Sequence, residues 1–252
     1  MSQSTSYLLC ATPRSGTTLL CDLLADTGVA GRPHSYYRSE DIRWRAERWG
    51  LAADFDDESA DFERAYLAAV LSAGSGETGI FGLRVMWGTV AELSVRLRRV
   101  FPDERDPHRL FARAFEEPLY VHVFRDDKVA QAISLLKAEQ NGLWHRAADG
   151  SERQRSAPPA PLQYDGPRLA RLVDELEHDD AGWSAFFRDA RISPITICYE
   201  ELSADPEIQV RRVLEGLGCV VAEDVQLAPR TSRMADDVSR EWRERFRREQ
   251  GR

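Results

Sequence analysis

Residues 7–24, YLLCATPRSGTTLLCDLL, hold the reading on which the rest of the chain depends. Tyr7–Ala11 is an apolar run of strand length. Thr17–Thr27 sets Leu19, Leu20, Leu23 and Leu24 along one helical face, with Gly28 placed to end the helix. Between them lies Thr12-Pro13-Arg14-Ser15-Gly16-Thr17-Thr18. A strand, a tight turn and a helix in this order aim backbone N–H groups and the positive end of a helix dipole at one point, and both attract a phosphate-like anion. Gly16 lets the backbone approach that anion, and Thr17 and Thr18 add hydroxyl donors. The Arg14 guanidinium can hold two anionic oxygens in a fixed fork. This is not a Walker A loop. No GxxxxGK[ST] run occurs, and the cation precedes the glycine.

Working outward, short apolar runs alternate with longer amphipathic ones, which predicts an α/β fold with a central, mainly parallel sheet flanked by helices. Further strands are expected at Phe81–Met86, Leu119–Phe124 and Pro194–Tyr199. Helices are expected at Phe62–Ser72, Thr89–Val100, His108–Glu116, Lys128–Asn141, Leu169–Ala190 and Ala235–Gln250. Another starts after Asp205, an N-cap followed by Pro206 at the first helical position. Residues 32–50, with Tyr36, Tyr37, Trp44 and Trp49 among arginines, read as irregular. Residues 147–167, rich in Ala, Pro and charge, read as a long loop or mobile lid. The whole of 1–252 reads as one domain.

The net charge of −8 argues against a general nucleic-acid binder, so an anionic ligand has to be met by locally clustered arginines. No apolar run approaches the roughly 20 residues that span a bilayer, and the first residues do not read as a signal peptide. Cys10, Cys21, Cys198 and Cys219 are scattered and form no CxxC pair, as expected for reduced cysteines in a cytoplasmic protein. The five histidines show no metal-ligand spacing, and no metal is expected.

A second signal is residues 121–135, VHVFRDDKVAQAISL, where a strand ends at Arg125 and a helix begins. Together with the first loop, it resembles the sulfotransferases. The resemblance sharpens to the bacterial family typified by trehalose sulfotransferase through six blocks in order: ATPRSGTTLL, TGVAGRPHSYY, FGLRVMW, FRDDKVAQAIS, AGWSAFF and RMADDVSREWRERFRRE. It implies a sulfotransferase-type, P-loop nucleotide-kinase-like fold, a homodimer, and 3′-phosphoadenosine 5′-phosphosulfate as donor to a hydroxyl of a carbohydrate or other small-molecule acceptor. By the same resemblance, Arg14, Ser15, Gly16, Thr17 and Thr18 contact the phosphosulfate, with Arg14 at the transferring group. Arg125 and Ser134 bind the 3′-phosphate, with Gln131 as the alternative to Ser134, and Arg233 contacts the nucleotide.

The resemblance also exposes a departure. The family places a catalytic glutamate where this chain has Ser35, and a serine is no base at neutral pH. His34 is the immediate substitute, since an imidazole accepts a proton near neutrality. Glu40, Asp41, or an acceptor that needs no protein base are the alternatives. Arg84 and Trp87 are expected near the acceptor. Two competing classes stay open: a small-molecule kinase using ATP, and a nucleotide-binding protein that has lost catalysis.

Overall fold

The computed structural model describes residues 5–51, 59–220, 230 and 236–250. In chain order it has β1 (Ser6–Ala11), α1 (Thr17–Asp26), α2 (Ser39–Arg48), α3 (Ala60–Ser75), β2 (Phe81–Met86), α4 (Val90–Val100), α5 (Pro107–Ala114) and β3 (Leu119–Phe124). Then follow α6 (Lys128–Asn141), β4 (Leu143–Arg146), β5 (Glu152–Arg155), α7 (Gly166–Asp189), β6 (Ile195–Cys198), α8 (Tyr199–Ala204), α9 (Pro206–Leu217) and α10 (Asp237–Glu249).

Four strands form a parallel sheet in the order β2-β1-β3-β6. A parallel sheet covered on both faces reads as continuous apolar sequence, and all six residues of β1 are buried. Alternate side chains serve opposite layers. Leu8, Cys10, Leu83 and Val85 pack with residues of α3, α4, α5 and α7, including Tyr66, Leu97, Phe111 and Trp183. Tyr7, Leu9, Ala11, Val121, Val123 and Ile197 pack against α1 and α9 through Leu20, Leu24, Val210 and Leu214. A third cluster joins α6, α7 and α10 through Ile133, Leu136, Leu172, Trp242 and Phe246. Since β1 is flanked by β2 on one side and β3 on the other, the connections from β1 and β3 diverge. A crevice therefore opens beyond their carboxyl ends, the place where sheets of this type bind ligands.

Three segments differ from the sequence expectation. Residues 39–48 form a helix, α2, because Ile42 and Ala46, four residues apart, face the core, while Trp44 stays exposed. Glu40 and Asp41 in its first turn and Arg45 and Arg48 in its last complement the helix dipole. Within 147–167, Glu152–Arg155 pairs antiparallel with Leu143–Arg146. Apart from Leu143 and Trp144 this hairpin is polar, and no apolar alternation announced it. A short helix, α8, directly follows β6.

Trp183 ties this fold to the loop after β1. It is fully buried, its indole N–H donates to the Ala11 carbonyl at 2.9 Å, and its ring meets Trp87 edge-on at 5.2 Å and stacks on Phe187 at 5.6 Å. Trp183→Phe removes the donor and leaves a gap, so it is expected to cost about 2–4 kcal/mol. Urea denaturation checks this, and a loss below about 1 kcal/mol would show that the anchor is dispensable.

Candidate active site

The loop after β1 is shaped by two left-handed residues, Arg14 (φ 64°) and Gly16 (φ 87°). A non-glycine residue in that region is strained, and such strain gathers at binding sites. At Gly16 the constraint is also steric. A Cβ there would lie 2.5 Å from Cδ2 of Tyr199. Beneath the loop, Thr12, Ser15 and Gln131 are buried. The Ser15 hydroxyl donates to the Thr12 carbonyl at 2.8 Å, so this side chain is turned into the loop. Its hydroxyl is therefore used within the loop. The Gln131 amide donates to Thr12 Oγ1 at 2.9 Å and to the Pro13 carbonyl at 2.7 Å, which spends Gln131 on the loop.

A cavity of about 1010 Å³ opens over the loop. Arg14, Gly16, Thr17 and Thr18 form its floor, and Arg125 and Ser134 enter from β3 and α6. Ser134, not Gln131, therefore reaches the cavity, and its hydroxyl accepts from Arg14 Nε at 3.0 Å. Another Arg14 nitrogen donates to the Trp144 carbonyl at 2.5 Å. The Arg125 guanidinium lies over the Tyr199 ring at 4.5 Å, with Glu200 3.7 Å from Nε. Arg240 and Arg243 of α10 also line the cavity, and Arg243 pairs with Asp127. Among the described residues, Nε of both Arg125 and Arg243 is buried without a hydrogen-bond partner.

Burial, together with the charge of Arg125, pulls the Arg14 pKa down to about 10. Burial also lowers that of Arg125, and Arg243 adds to the effect while Tyr199, Glu200 and Asp127 oppose it. Crowded cations that are costly to keep charged mark a place built for an anion.

On the facing wall, Arg84 donates to the Ser35 hydroxyl and to Thr18 Oγ1, each at 2.8 Å. Thr18 Oγ1 in turn lies 3.1 Å from His145 Nε2. His34 is placed elsewhere. It is absent from the cavity lining, and its Nδ1 receives Arg45 at 3.0 Å. Crowding of the ring, with Arg84 and Arg45 nearby, pulls its pKa down to about 4. A lone pair already held by a guanidinium, outside the cavity, is poorly set to take a proton from a ligand. Glu40 does line the cavity, paired with Arg38 at 3.2 Å, whereas Asp41 stands 3.9 Å from Arg45. Arg233 lies outside the described residues.

The sequence reading missed His145, Arg240 and Arg243. For the arginines a signal existed: Trp242 and Phe246 define the buried face of α10, which leaves 240 and 243 on other faces. For His145 there was none, because its hairpin is short and, apart from Leu143 and Trp144, polar.

Residues 6–249 match the model of the Stf0 sulphotransferase family. A trehalose 2-sulfotransferase of Mycolicibacterium smegmatis is 30% identical over 270 aligned positions, covering 97% of this chain and 95% of its own length. A trehalose 2-sulfotransferase of Mycobacterium tuberculosis is 30% identical over 262 positions, covering 96% and 94%. Among solved structures, a sulfotransferase from Alicyclobacillus acidocaldarius aligns over 96% of this chain and 90% of its own at 13% identity, with a TM-score of 0.46.

A buried cation whose folded pKa is depressed disfavours folding at neutral pH, where it is charged. Arg14→Gln is therefore expected to melt no lower than the parent protein in sulfate-free buffer, despite losing two hydrogen bonds. Added sulfate should stabilise the parent more than the variant. Scanning calorimetry with and without sulfate checks both, and a clearly lower melting point in Arg14→Gln would mean that the guanidinium serves the fold rather than a ligand.

Proposed function

We propose, from the premise that this chain belongs to the Stf0 sulphotransferase family, that it transfers a sulfuryl group from 3′-phosphoadenosine 5′-phosphosulfate to a hydroxyl of a carbohydrate or other small-molecule acceptor. The observation that carries the donor half is the placement of two guanidiniums at the ends of neighbouring strands in one cavity, Arg14 after β1 and Arg125 after β3, with Arg125 Nε and Arg243 Nε buried without a hydrogen-bond partner among the described residues. The donor bears two anionic groups on one nucleoside, which fits two separate cationic positions.

In this reading Arg14, Gly16, Thr17 and Thr18 hold the 5′-phosphosulfate, and Arg125, Ser134 and Arg243 hold the 3′-phosphate. The donor supplies an activated sulfuryl group with a bisphosphate leaving group. The protein's part is to position it and to offset negative charge. Backbone N–H groups at the start of α1 and the forked Arg14 do this without reorganising, because Gln131 and Ser134 already fix the loop and its arginine. The acceptor half of the cavity combines Ser35, Arg38, Glu40 and Arg84 with apolar Leu83, Val85, Met86 and Leu93. The curated relatives named for trehalose support a carbohydrate class.

The test is a calorimetric titration in magnesium-free buffer with 3′-phosphoadenosine 5′-phosphate and with ATP. The bisphosphate is expected to bind at least about tenfold tighter, and Arg125→Ala to weaken it by about 10–100-fold, the scale of a lost charge-assisted contact. Equal or tighter binding of ATP would overturn the donor assignment in favour of an ATP-using kinase. Turnover of the full donor with trehalose and a panel of sugars and small alcohols then defines the acceptor. Tight bisphosphate binding with no turnover on any of them would point to a non-catalytic nucleotide binder.

A further inference from the structure

A hydroxyl that attacks sulfur has to lose its proton, and the cavity holds few groups able to take it. Its carboxylates are engaged by cations. Glu40 is paired with Arg38, Asp127 with Arg243, and Asp236 with Lys137, while Glu200 accepts from the backbone N–H groups of Asp126 and Asp127 and faces Arg125. Among the described residues, His145 is the histidine that lines the cavity. It sits on β4, brought over the loop where the hairpin docks. The neighbouring Trp144 carbonyl takes Arg14, and Arg153 of β5 pairs with Asp22 of α1 at 2.8 Å.

His145 Nε2 lies 3.1 Å from Thr18 Oγ1, the same hydroxyl that accepts from Arg84. In the tautomer that carries its proton on Nδ1, the Nε2 lone pair faces this hydroxyl and not a guanidinium, unlike the His34 nitrogen held by Arg45. His145 and Arg84 thus meet at the hydroxyl of Thr18, a residue of the loop that would carry the sulfuryl group, and Arg84 also holds Ser35 on the acceptor side.

We propose that His145 is the catalytic base, accepting the acceptor's proton on Nε2; this rests on the donor assignment above. As the acceptor oxygen bonds to sulfur, the bond from sulfur to the bridging phosphate oxygen breaks. The bridging oxygen keeps the electron pair, and the hydroxyl proton moves to Nε2, which leaves an imidazolium. The groups facing His145 set the timing. Burial, with Arg14 from the loop, Arg84 from β2 and Arg153 from β5, pulls its pKa down to about 3, against the opposing Asp22 of α1. The imidazole is thus neutral but weakly basic before the donor binds. A phosphosulfate laid beside Arg14 and Thr18 offsets part of that positive charge and raises the basicity of Nε2 once transfer is possible.

The sign of the proton linkage follows. If bound anion raises the pKa, binding takes up protons at mildly acidic pH. Calorimetric titration with 3′-phosphoadenosine 5′-phosphate near pH 5, in two buffers of different ionisation enthalpy, should show more proton uptake by the wild type than by His145→Gln, with both binding the bisphosphate. With the best acceptor of the panel, His145→Gln and His145→Ala should lose about 10²–10⁴-fold in kcat and lose the acidic limb of the pH–rate profile. Equal proton uptake in the two proteins, or a kcat within about tenfold of wild type, overturns the base assignment and leaves the donor assignment standing. Failure of the wild type itself to bind the bisphosphate overturns the donor assignment, and the base with it.

Discussion

The loop after β1 keeps its shape because of a buried polar cluster beneath it. Gln131 of α6 reaches Thr12 and Pro13, and Thr12 Oγ1 donates to Asp180 of α7 at 3.1 Å. Asp180 is also paired with Lys128 at 2.5 Å, and Lys128 reaches Gln131 at 3.3 Å. One strand end is thereby fixed to two helices through groups that are nearly all satisfied. In a low-dielectric interior such a cluster is strong when complete and costly when broken. The strained φ of Arg14 needs this support, since a left-handed arginine would relax if the turn could move. The same cluster explains why α6 begins where it does. Asp127 caps the helix by accepting from the Ala130 N–H at 2.9 Å, and Lys128, its first residue, closes the network.

A chain with a net charge of −8 still builds a cationic cavity, by bringing together arginines that are far apart in sequence. Arg14 follows β1, Arg84 lies in β2, Arg125 follows β3, and Arg240 and Arg243 belong to α10. Acidic partners hold several of them in place without cancelling the field. Glu200 contacts Arg125 only at 3.7 Å while accepting from two backbone N–H groups at the start of α6, and Asp127 holds Arg243 by one edge. Among the described residues, Nε of Arg125 and of Arg243 is buried without a hydrogen-bond partner. The cost of gathering these cations falls on the folded protein, and the donor would relieve it on binding.

What the sequence made legible follows the same physics. The sheet was readable because its strands are short and mostly apolar: β1 is buried throughout, and β2, β3 and β6 are broken only by Gly82 and Arg84, by His122, and by Thr196. β2, β3 and α6 have the expected ends. Arg125 was readable because it follows such a run directly, and Arg14 because it sits in the short turn after one. Long-range partnerships were not. Whether Ser134 or Gln131 faced the cavity depended on helix rotation, and the structure decides it through Gln131's two bonds to the loop. Ser15 looked like a ligand contact beside Gly16, yet its hydroxyl closes the turn. The base was sought next to position 35 because sequence neighbourhood was the available guide. His145 lies on a short, mostly polar hairpin, is 127 residues from Thr18 in sequence, and meets it through tertiary contact alone.

The proposed donor and acceptor halves of the cavity share two side chains, and this limits how independently they can vary. Thr18 belongs to the anion loop, yet its hydroxyl is the meeting point of Arg84 and His145. Arg84 belongs to the acceptor wall, yet one of its nitrogens is spent on the loop and another on Ser35. A carboxylate at position 35 would pair with Arg84 directly and draw the guanidinium toward itself. The neutral serine leaves Arg84 shared between the two halves. The departure at position 35 therefore need not disable the site. It changes which neighbour Arg84 favours, and it goes together with an imidazole, supplied from a separate hairpin, on the far side of Thr18.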